Sequence, residues 1–225
     1  SLPGLALVQT SPIPQARGLG SSSACIAAGI VGANRLLGQP MTENEQVAFA
    51  AKLEGHPDNV APAMLGGFVT SVMENGKVYT VKKRVSDALH FFAFVPDFEL
   101  LTEKARAALP NTVSRADAVY NVSRAALMAA AFCEGKPELF AIGAQDKLHQ
   151  PYRLPLIPGA KRIFELAPQL GARAVFIGGA GPTIVAVCDA ANLAFAPRAI
   201  LALQEDEATN RFSLQTLTAH NESMF

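Results

Sequence analysis

The sequence is poor in cysteine and has no tryptophan. Its three cysteines, Cys25, Cys133 and Cys188, are an odd number, lie far apart and form no C-x-x-C pair. The chain therefore supports neither a disulfide framework nor a zinc site. We interpret the cysteines as small apolar residues that are buried in a protein of a reducing, cytoplasmic compartment.

Charge is also scarce. Only 17% of the residues are charged, and 19 basic and 19 acidic side chains give a formal net charge of zero. The short run Lys82-Lys83-Arg84 is too small to predict a surface for nucleic acid or for anionic lipid. Apolar runs such as 125–133 fall far short of the ~20 residues that cross a bilayer, and the opening Leu2-Pro3-Gly4 is not typical of a signal peptide. Small or neutral partners are favoured, and the low charge leaves room for a homodimer face.

Half of the 225 residues are apolar, which is enough for a substantial hydrophobic core. Helical and strand patterns alternate irregularly, and hairpin signals favour antiparallel or mixed sheets, so the predicted class is α+β. We expect two lobes with a boundary near residue 88.

Local signals predict the elements of the first part of the chain. Residues 5–9 are typical of a short strand, and a stripe of Ile26, Ile30, Ala33 and Leu37 predicts a helix over 22–37. Thr42 and Glu45 form a capping box for a second helix that ends near Glu54 at Gly55. Asn75-Gly76 predicts a hairpin turn between strands at 68–73 and 78–82.

The rest of the chain continues the alternation. Further strands are predicted at 90–95, 174–177, 183–187 and 212–216, and helices at 102–109, 114–133, 137–148, 159–170 and 193–204.

A glycine- and serine-rich loop enters the first helix. Unpaired N–H groups and the helix dipole at such a point favour an anion, and glycines let the backbone approach a phosphate. A Walker loop would need a lysine, and G-x-G-x-x-G would need a glycine where Ser23 stands. From composition alone, a flexible linker with a serine N-cap is an equal alternative. The loop consists of Pro14, Gln15, Ala16, Arg17, Gly18, Leu19, Gly20, Ser21, Ser22, Ser23 and Ala24.

The string Pro-x-x-x-Gly-Leu-Gly-Ser-Ser resembles the nucleotide-binding signature of the GHMP kinases, and within them the chain is similar to the homoserine kinases. The similarity also rests on the stretches 54–63, 102–110, 149–159 and 178–183. It implies a two-lobe fold, with 1–88 as part of a nucleotide-binding lobe and 89–225 as a ferredoxin-like lobe. It further implies ATP and Mg²⁺ as cofactors and L-homoserine as the substrate, whose side-chain hydroxyl is phosphorylated in threonine biosynthesis.

One family feature has no counterpart. The first motif of these kinases, an Asn-Leu-Gly-Pro-Gly-Phe-Asp-like segment, does not occur before the loop, so we expect the N-terminal lobe to be incomplete. Two alternative functions are therefore kept. One is another GHMP kinase that acts on a mevalonate-type or sugar substrate, and the other is a catalytically incomplete nucleotide-binding fragment.

The resemblance implies a magnesium site at Glu54, with Ser22 as the second ligand. A carboxylate at the end of a helix faces the unfavourable end of the dipole, and a cation would relieve this. The alternative is an ordinary exposed glutamate in a last helical turn. Magnesium would neutralise phosphate charge during transfer.

Substrate residues are also implied by the resemblance. It places His56, Asn59, Thr102, Arg106 and Arg153 at the substrate site, with Asn59 and Arg106 joining Glu54 in catalysis. Asparagine before a helix is more commonly a cap, and both arginines could be surface cations. A guanidinium, however, can grip a carboxylate with two hydrogen bonds.

The catalytic chemistry needs little beyond position and charge. Asp58 is the only carboxylate next to these groups and is not a secure general base, so we expect direct phosphoryl transfer with Asn59 orienting the hydroxyl. Arg17 is expected to contact phosphate or to serve the loop structurally.

Overall fold

The computed structural model describes residues 4–225, which form two lobes with separate cores. The elements in chain order are α1 (Ser21–Leu36), α2 (Glu43–Glu54), α3 (Val60–Leu65), β1 (Phe68–Glu74), β2 (Lys77–Lys83), β3 (Leu89–Pro96), α4 (Thr102–Ala107), α5 (Arg115–Glu134), α6 (Phe140–Gly143), α7 (Gln150–Arg153), α8 (Ala160–Gln169), β4 (Ala174–Ile177), β5 (Ile184–Asp189), α9 (Phe195–Glu205) and β6 (Phe212–Leu217).

The first lobe packs α1, α2 and α3 against the antiparallel hairpin of β1 and β2. Its core uses small side chains such as Ala27, Ala50 and Ala51, all fully buried, which allow the helices to approach closely. The predicted capping box of α2 is confirmed. Thr42 accepts from the Glu45 N–H at 3.3 Å, and Glu45 accepts from the Thr42 N–H at 2.8 Å. The predicted hairpin is confirmed as well.

Two predictions for the first lobe are wrong. Residues 5–9 form no strand, because among residues 4–225 no neighbouring strand pairs with them, and Leu7 is 91% exposed. Helix α1 buries Ser23, Ala27 and Ile30, whereas Leu37 of the predicted stripe is 57% exposed. The buried face of α1 is rotated away from the predicted stripe, because small residues on the observed face let α1 lie close to α2 and α3.

The second lobe is a four-stranded antiparallel sheet in the order β4-β5-β3-β6. One face packs on α8 and α9 through Phe92, Phe94 and Ile163. The other face packs on α5 and α6, where Ala131 and Phe140 are buried. The predicted α+β class with antiparallel pairing is therefore confirmed.

Some details of the second lobe depart from prediction. The helix expected at 137–148 is a 3₁₀ turn at Pro137–Leu139 followed by the short α6, and α7 was not predicted.

The three cysteines differ in burial. Cys188 is buried, and burial raises the pKa of its thiol to about 12. Cys25 and Cys133 are exposed, so burial is wrong for these two, because each lies on the solvent side of its helix.

The C-terminal residues return to the first lobe. The Gly67 N–H donates to the His220 carbonyl at 2.7 Å, and the Met224 N–H donates to the Met64 carbonyl at 2.9 Å. The side chain of Asn221 bonds both backbone groups of Val85. Contacts across the proposed boundary at residue 88 thus fix one lobe to the other.

Among residues 4–225, none of the helices has the length and apolarity that crossing a bilayer requires.

Candidate active site

A cavity of about 810 Å³ lies where the two lobes meet. It brings together five segments that are far apart in the sequence, and all but two of the predicted site residues line it. Gln15 and Ala24 of the loop do not line the cavity. The lining comprises Pro14, Ala16, Arg17, Gly18, Leu19, Gly20, Ser21, Ser22, Ser23, Glu54, His56, Asp58, Asn59, Thr102, Arg106, His149, Arg153, Phe176, Ile177, Gly179, Ala180 and Gly181.

The start of α1 forms one wall of this cavity. Its N-cap is Gly20, which adopts a left-handed conformation at φ 72° and provides no side-chain cap. The first helical hydrogen bond runs from Ala24 N–H to the Gly20 carbonyl at 2.9 Å. The preceding N–H groups and the positive end of the helix dipole therefore remain for an anion. The alternative of a serine N-cap is wrong.

The loop is held in place by the second lobe. A Cβ on Gly18 would lie 2.2 Å from the Gly178 carbonyl oxygen, so the two backbones are in direct contact. The hydroxyl of Thr183 donates to the Arg17 carbonyl. The Arg17 guanidinium donates to the carbonyls of Asp97 at 3.0 Å and Phe98 at 3.3 Å. Arg17 thus has the structural role that the sequence left open.

Glu54 is bonded to the first turn of α1. Ser22 donates to its Oε2 at 3.2 Å, and Ser23, which is only 2% exposed, donates to its Oε1 at 3.0 Å. The carboxylate therefore lies beside the N–H groups of the helix start. Oxygen donors of this kind fit Mg²⁺. No cluster of three potential metal ligands of the His, Cys, Asp or Glu type exists within 4–225, so phosphate and water would have to complete the coordination.

Arg106 and Arg153 also line the cavity, and each is bonded to a histidine. Arg106 donates to Nε2 of His56 at 2.9 Å, while Nδ1 of His56 contacts the Asp58 carboxylate. Asn59 precedes α3 but makes no capping hydrogen bond, and its side chain lines the cavity instead. Thr102 opens α4, which carries Arg106.

Arg153 is more deeply set than Arg106. It donates from Nε to the Ala105 carbonyl at 3.3 Å and from Nη1 to the Gly179 carbonyl at 3.1 Å. Burial, followed by the charge of Arg106, lowers the pKa of the Arg153 guanidinium below its ordinary value. The interpretation of Arg153 as a free surface cation does not fit these contacts.

His149 was not assigned a role from the sequence, yet it lines the cavity beside Arg153. Its signal is its place four residues before Arg153 in the stretch 149–159, a spacing that puts two side chains on one face of a helix. His90 and His220 do not line the cavity. Among the described residues, the lining contains three arginines (Arg17, Arg106 and Arg153) and two carboxylates (Glu54 and Asp58), a balance that suits an anionic ligand.

Comparison with known proteins agrees with this geometry. The family description "GHMP kinases N terminal domain" matches residues 2–67, and "GHMP kinases C terminal" matches residues 128–205. A homoserine kinase of Caldicellulosiruptor saccharolyticus is 46% identical over 218 residues, which are 97% of this chain and 71% of that protein. A homoserine kinase of Clostridium beijerinckii is 49% identical over 79% of this chain.

Solved structures give the same result. The crystal structure of homoserine kinase from Cytophaga hutchinsonii superimposes with a TM-score of 0.83 and 29% identity, over 94% of this chain and 69% of that one. This chain spans 71% of the Caldicellulosiruptor relative but only 59% of the Clostridium relative.

Proposed function

We infer the function from the family to which this chain belongs, the homoserine kinases of the GHMP kinase superfamily. We propose that the whole protein transfers the terminal phosphoryl group of ATP to the side-chain hydroxyl of L-homoserine. The product would be O-phospho-L-homoserine, which feeds threonine biosynthesis. The observation that carries the proposal is that one cavity joins the start of α1 and Glu54 to two histidine-bonded arginines.

The phosphates of ATP would lie at the start of α1. The loop 14–24 enters this helix through Gly20, around which there is open space, since a Cβ there would meet nothing within 4 Å. The free N–H groups and the dipole would bind the phosphate oxygens. Gln15 and Ala24, which do not line the cavity, would shape the loop.

Glu54 and Ser22 would hold Mg²⁺ against those phosphates. When bound, the ion would neutralise the charge of the transferring group. Ser23 would orient Glu54, because its buried hydroxyl already donates to that carboxylate. Only one carboxylate is provided, which is typical of a magnesium site completed by a nucleotide.

The two arginines would bind the carboxylate of homoserine. Guanidinium groups suit this role because their planar donors match carboxylate geometry. Arg106 would also face the phosphoryl group, whose negative charge spreads over its oxygens during transfer. Thr102 and His56 would complete the substrate site, and Asn59 would orient the reacting hydroxyl.

A dedicated general base is not part of the proposal. The Asp58 carboxylate is already engaged by His56, and transfer through a loose transition state depends mainly on position and charge. We also propose that residues 1–88 hold the nucleotide, that 89–225 provide the substrate arginines, and that the enzyme acts in the cytoplasm as a homodimer.

The test is a substrate panel with the full-length protein. ADP release would be measured with homoserine, mevalonate and galactose at saturating Mg-ATP. Homoserine should be turned over at least about a hundredfold faster than the others, because galactose has no carboxylate, and mevalonate has no α-amino group and carries its carboxylate one carbon farther from the reacting hydroxyl. Equal or faster turnover of an alternative would indicate another GHMP kinase. Nucleotide binding with no turnover of any substrate would indicate a catalytically incomplete protein.

A further inference from the structure

His149 stands between a buried carboxylate and a substrate arginine. Its Nε2 lies 3.9 Å from Oδ1 of Asp146, and its Nδ1 lies 3.3 Å from Nη1 of Arg153. The same order of groups occurs a second time in the lining of the cavity, where Asp58, His56 and Arg106 are in contact. Each of the two arginines thus has a histidine beside it that is backed by a carboxylate.

Asp146 fixes the position of this histidine. Its carboxylate accepts from the N–H groups of His149 at 2.8 Å and Gln150 at 2.5 Å, and from the Asn121 amide at 2.5 Å. Burial opposes ionisation, but these hydrogen bonds outweigh it and hold the pKa of Asp146 below its ordinary value. Asp146 is therefore ionised at neutral pH.

The surroundings of His149 favour the neutral imidazole. Burial lowers its pKa below 6.5, the charge of Asp146 opposes this, and the charge of Arg153 adds to the lowering. The other charged and titratable groups that line the same cavity are the arginines Arg17 and Arg106, the carboxylates Glu54 and Asp58, and His56. A carboxylate near Nε2 favours the proton on that nitrogen, which leaves the Nδ1 lone pair for Arg153.

We propose that His149 is a positioning residue that holds the Arg153 guanidinium for the substrate carboxylate. This inference rests on the proposed function. Nε is bonded to Ala105 and Nη1 to Gly179 and His149, so two of the three guanidinium nitrogens are held; among residues 4–225 Nη2 has no hydrogen-bond partner and is left for an anion. Protonation of His149 places a cation against Arg153 and removes the acceptor, so homoserine binding should weaken on the acid side.

The test compares His149→Leu, which removes the acceptor, with His149→Asn, whose Oδ1 lies near the position of Nδ1. The control is His220→Leu, since His220 is exposed and does not line the cavity. At pH 7.5, His149→Leu should raise the KM for homoserine about tenfold, with kcat and the KM for ATP within about twofold. His149→Asn and the control should stay within about twofold of wild type.

The pH profile separates positioning from general damage. The ratio of the homoserine KM of wild type to that of His149→Asn should rise about threefold or more between pH 7.5 and 5.5, because only wild type carries the titrating group. Protonation of ATP affects both proteins and cancels in the ratio. A flat ratio, or His149→Asn as weak as His149→Leu, would overturn the proposal.

A second measurement does not depend on turnover. NMR titration of the His149 ring in the full-length protein should give a higher pKa in Arg153→Met than in wild type, because a neighbouring cation is removed. If the wild-type protein does not phosphorylate homoserine, the proposed function is wrong. The titration still tests the contact between His149 and Arg153, because it does not depend on turnover. An unchanged pKa of His149 would overturn the positioning role, and a raised one would uphold it.

Discussion

Gly18 and Gly178 face each other so closely that neither position has room for a side chain. A Cβ on Gly18 would lie 2.2 Å from the carbonyl oxygen of Gly178, and a Cβ on Gly178 would lie 2.6 Å from the carbonyl oxygen of Gly18. One glycine belongs to the loop before α1, and the other follows β4. The loop before α1 is therefore positioned by the second lobe as well as by its own helix.

Gly18→Ala should destabilise the protein more than Gly20→Ala. Both glycines have positive φ, so both substitutions carry backbone strain of about 1 to 2 kcal/mol. Only at Gly18 does the new methyl group meet backbone, which should add about 2 kcal/mol. Urea denaturation checks the difference in unfolding free energy. Equal losses would show that the contact between the loops is unimportant.

Glu54→Gln should lower kcat about a hundredfold or more and change the thermal midpoint little. The amide keeps an oxygen that can accept from Ser22 or Ser23 but lacks the charge that a magnesium ligand needs. Glu43→Gln, an exposed change in the same helix, is the control. Kinetics across magnesium concentrations measure the effect. A near-normal rate with an unchanged magnesium optimum would return Glu54 to a purely structural role.

Arg153→Lys should raise the KM for homoserine about tenfold or more and leave ATP affinity almost unchanged. The donors of a lysine all sit on one nitrogen and cannot reproduce the separate Nε, Nη1 and Nη2 positions that contact Ala105, Gly179 and the proposed substrate, so about 1.5 to 3 kcal/mol of charge-assisted hydrogen bonding is lost. Arg162→Lys, at a surface pair with Asp206, is the control. Steady-state kinetics with both substrates provide the test. Equal weakening of ATP and homoserine would contradict the carboxylate assignment.

Arg106→Lys should depress kcat as well as raise the KM for homoserine. The side chain is proposed to meet charge on the transferring phosphoryl group, and this interaction strengthens in the transition state. The same kinetic experiment, read beside Arg153→Lys, separates the two roles. A change in KM alone would place Arg106 at the substrate and away from the phosphoryl path.

Asp146→Asn should destabilise the protein by about 2 kcal/mol or more at pH 7, because several N–H groups lose a charged acceptor. The pKa of Asp146 is lowered in the folded state, so its contribution is present above the ordinary value of 3.8 and disappears as the pH falls through the folded value. Urea unfolding should therefore show a difference in unfolding free energy between wild type and variant that is smaller at pH 3 than at pH 7. A difference that is the same at both pH values would mean that altered packing, and not the lost charge, destabilises the variant.

Short-range signals in the sequence are sufficient to predict several elements of secondary structure. The capping box of Thr42 and Glu45 sets the start of α2, and Gly55 ends that helix at φ 90°. The Asn75-Gly76 turn likewise places the β1–β2 hairpin. These features depend on hydrogen bonds and φ values within a few residues, so the chain itself determines them. The loop string that indicated the family is equally local.

Other features were decided only by tertiary structure. Residues 5–9 have an apolar pattern, but a strand requires a partner, and the pattern cannot supply one. The buried face of α1 depends on which neighbours approach it, and Ser23 is buried because Glu54 lies there. His149 gained a role only when folding placed Arg153 against Gly179 and Ala105. The residue types and the local turns follow from the sequence alone. Which residues share a cavity depends on the packing of distant segments, because contacts between such segments leave no periodic signal in the chain.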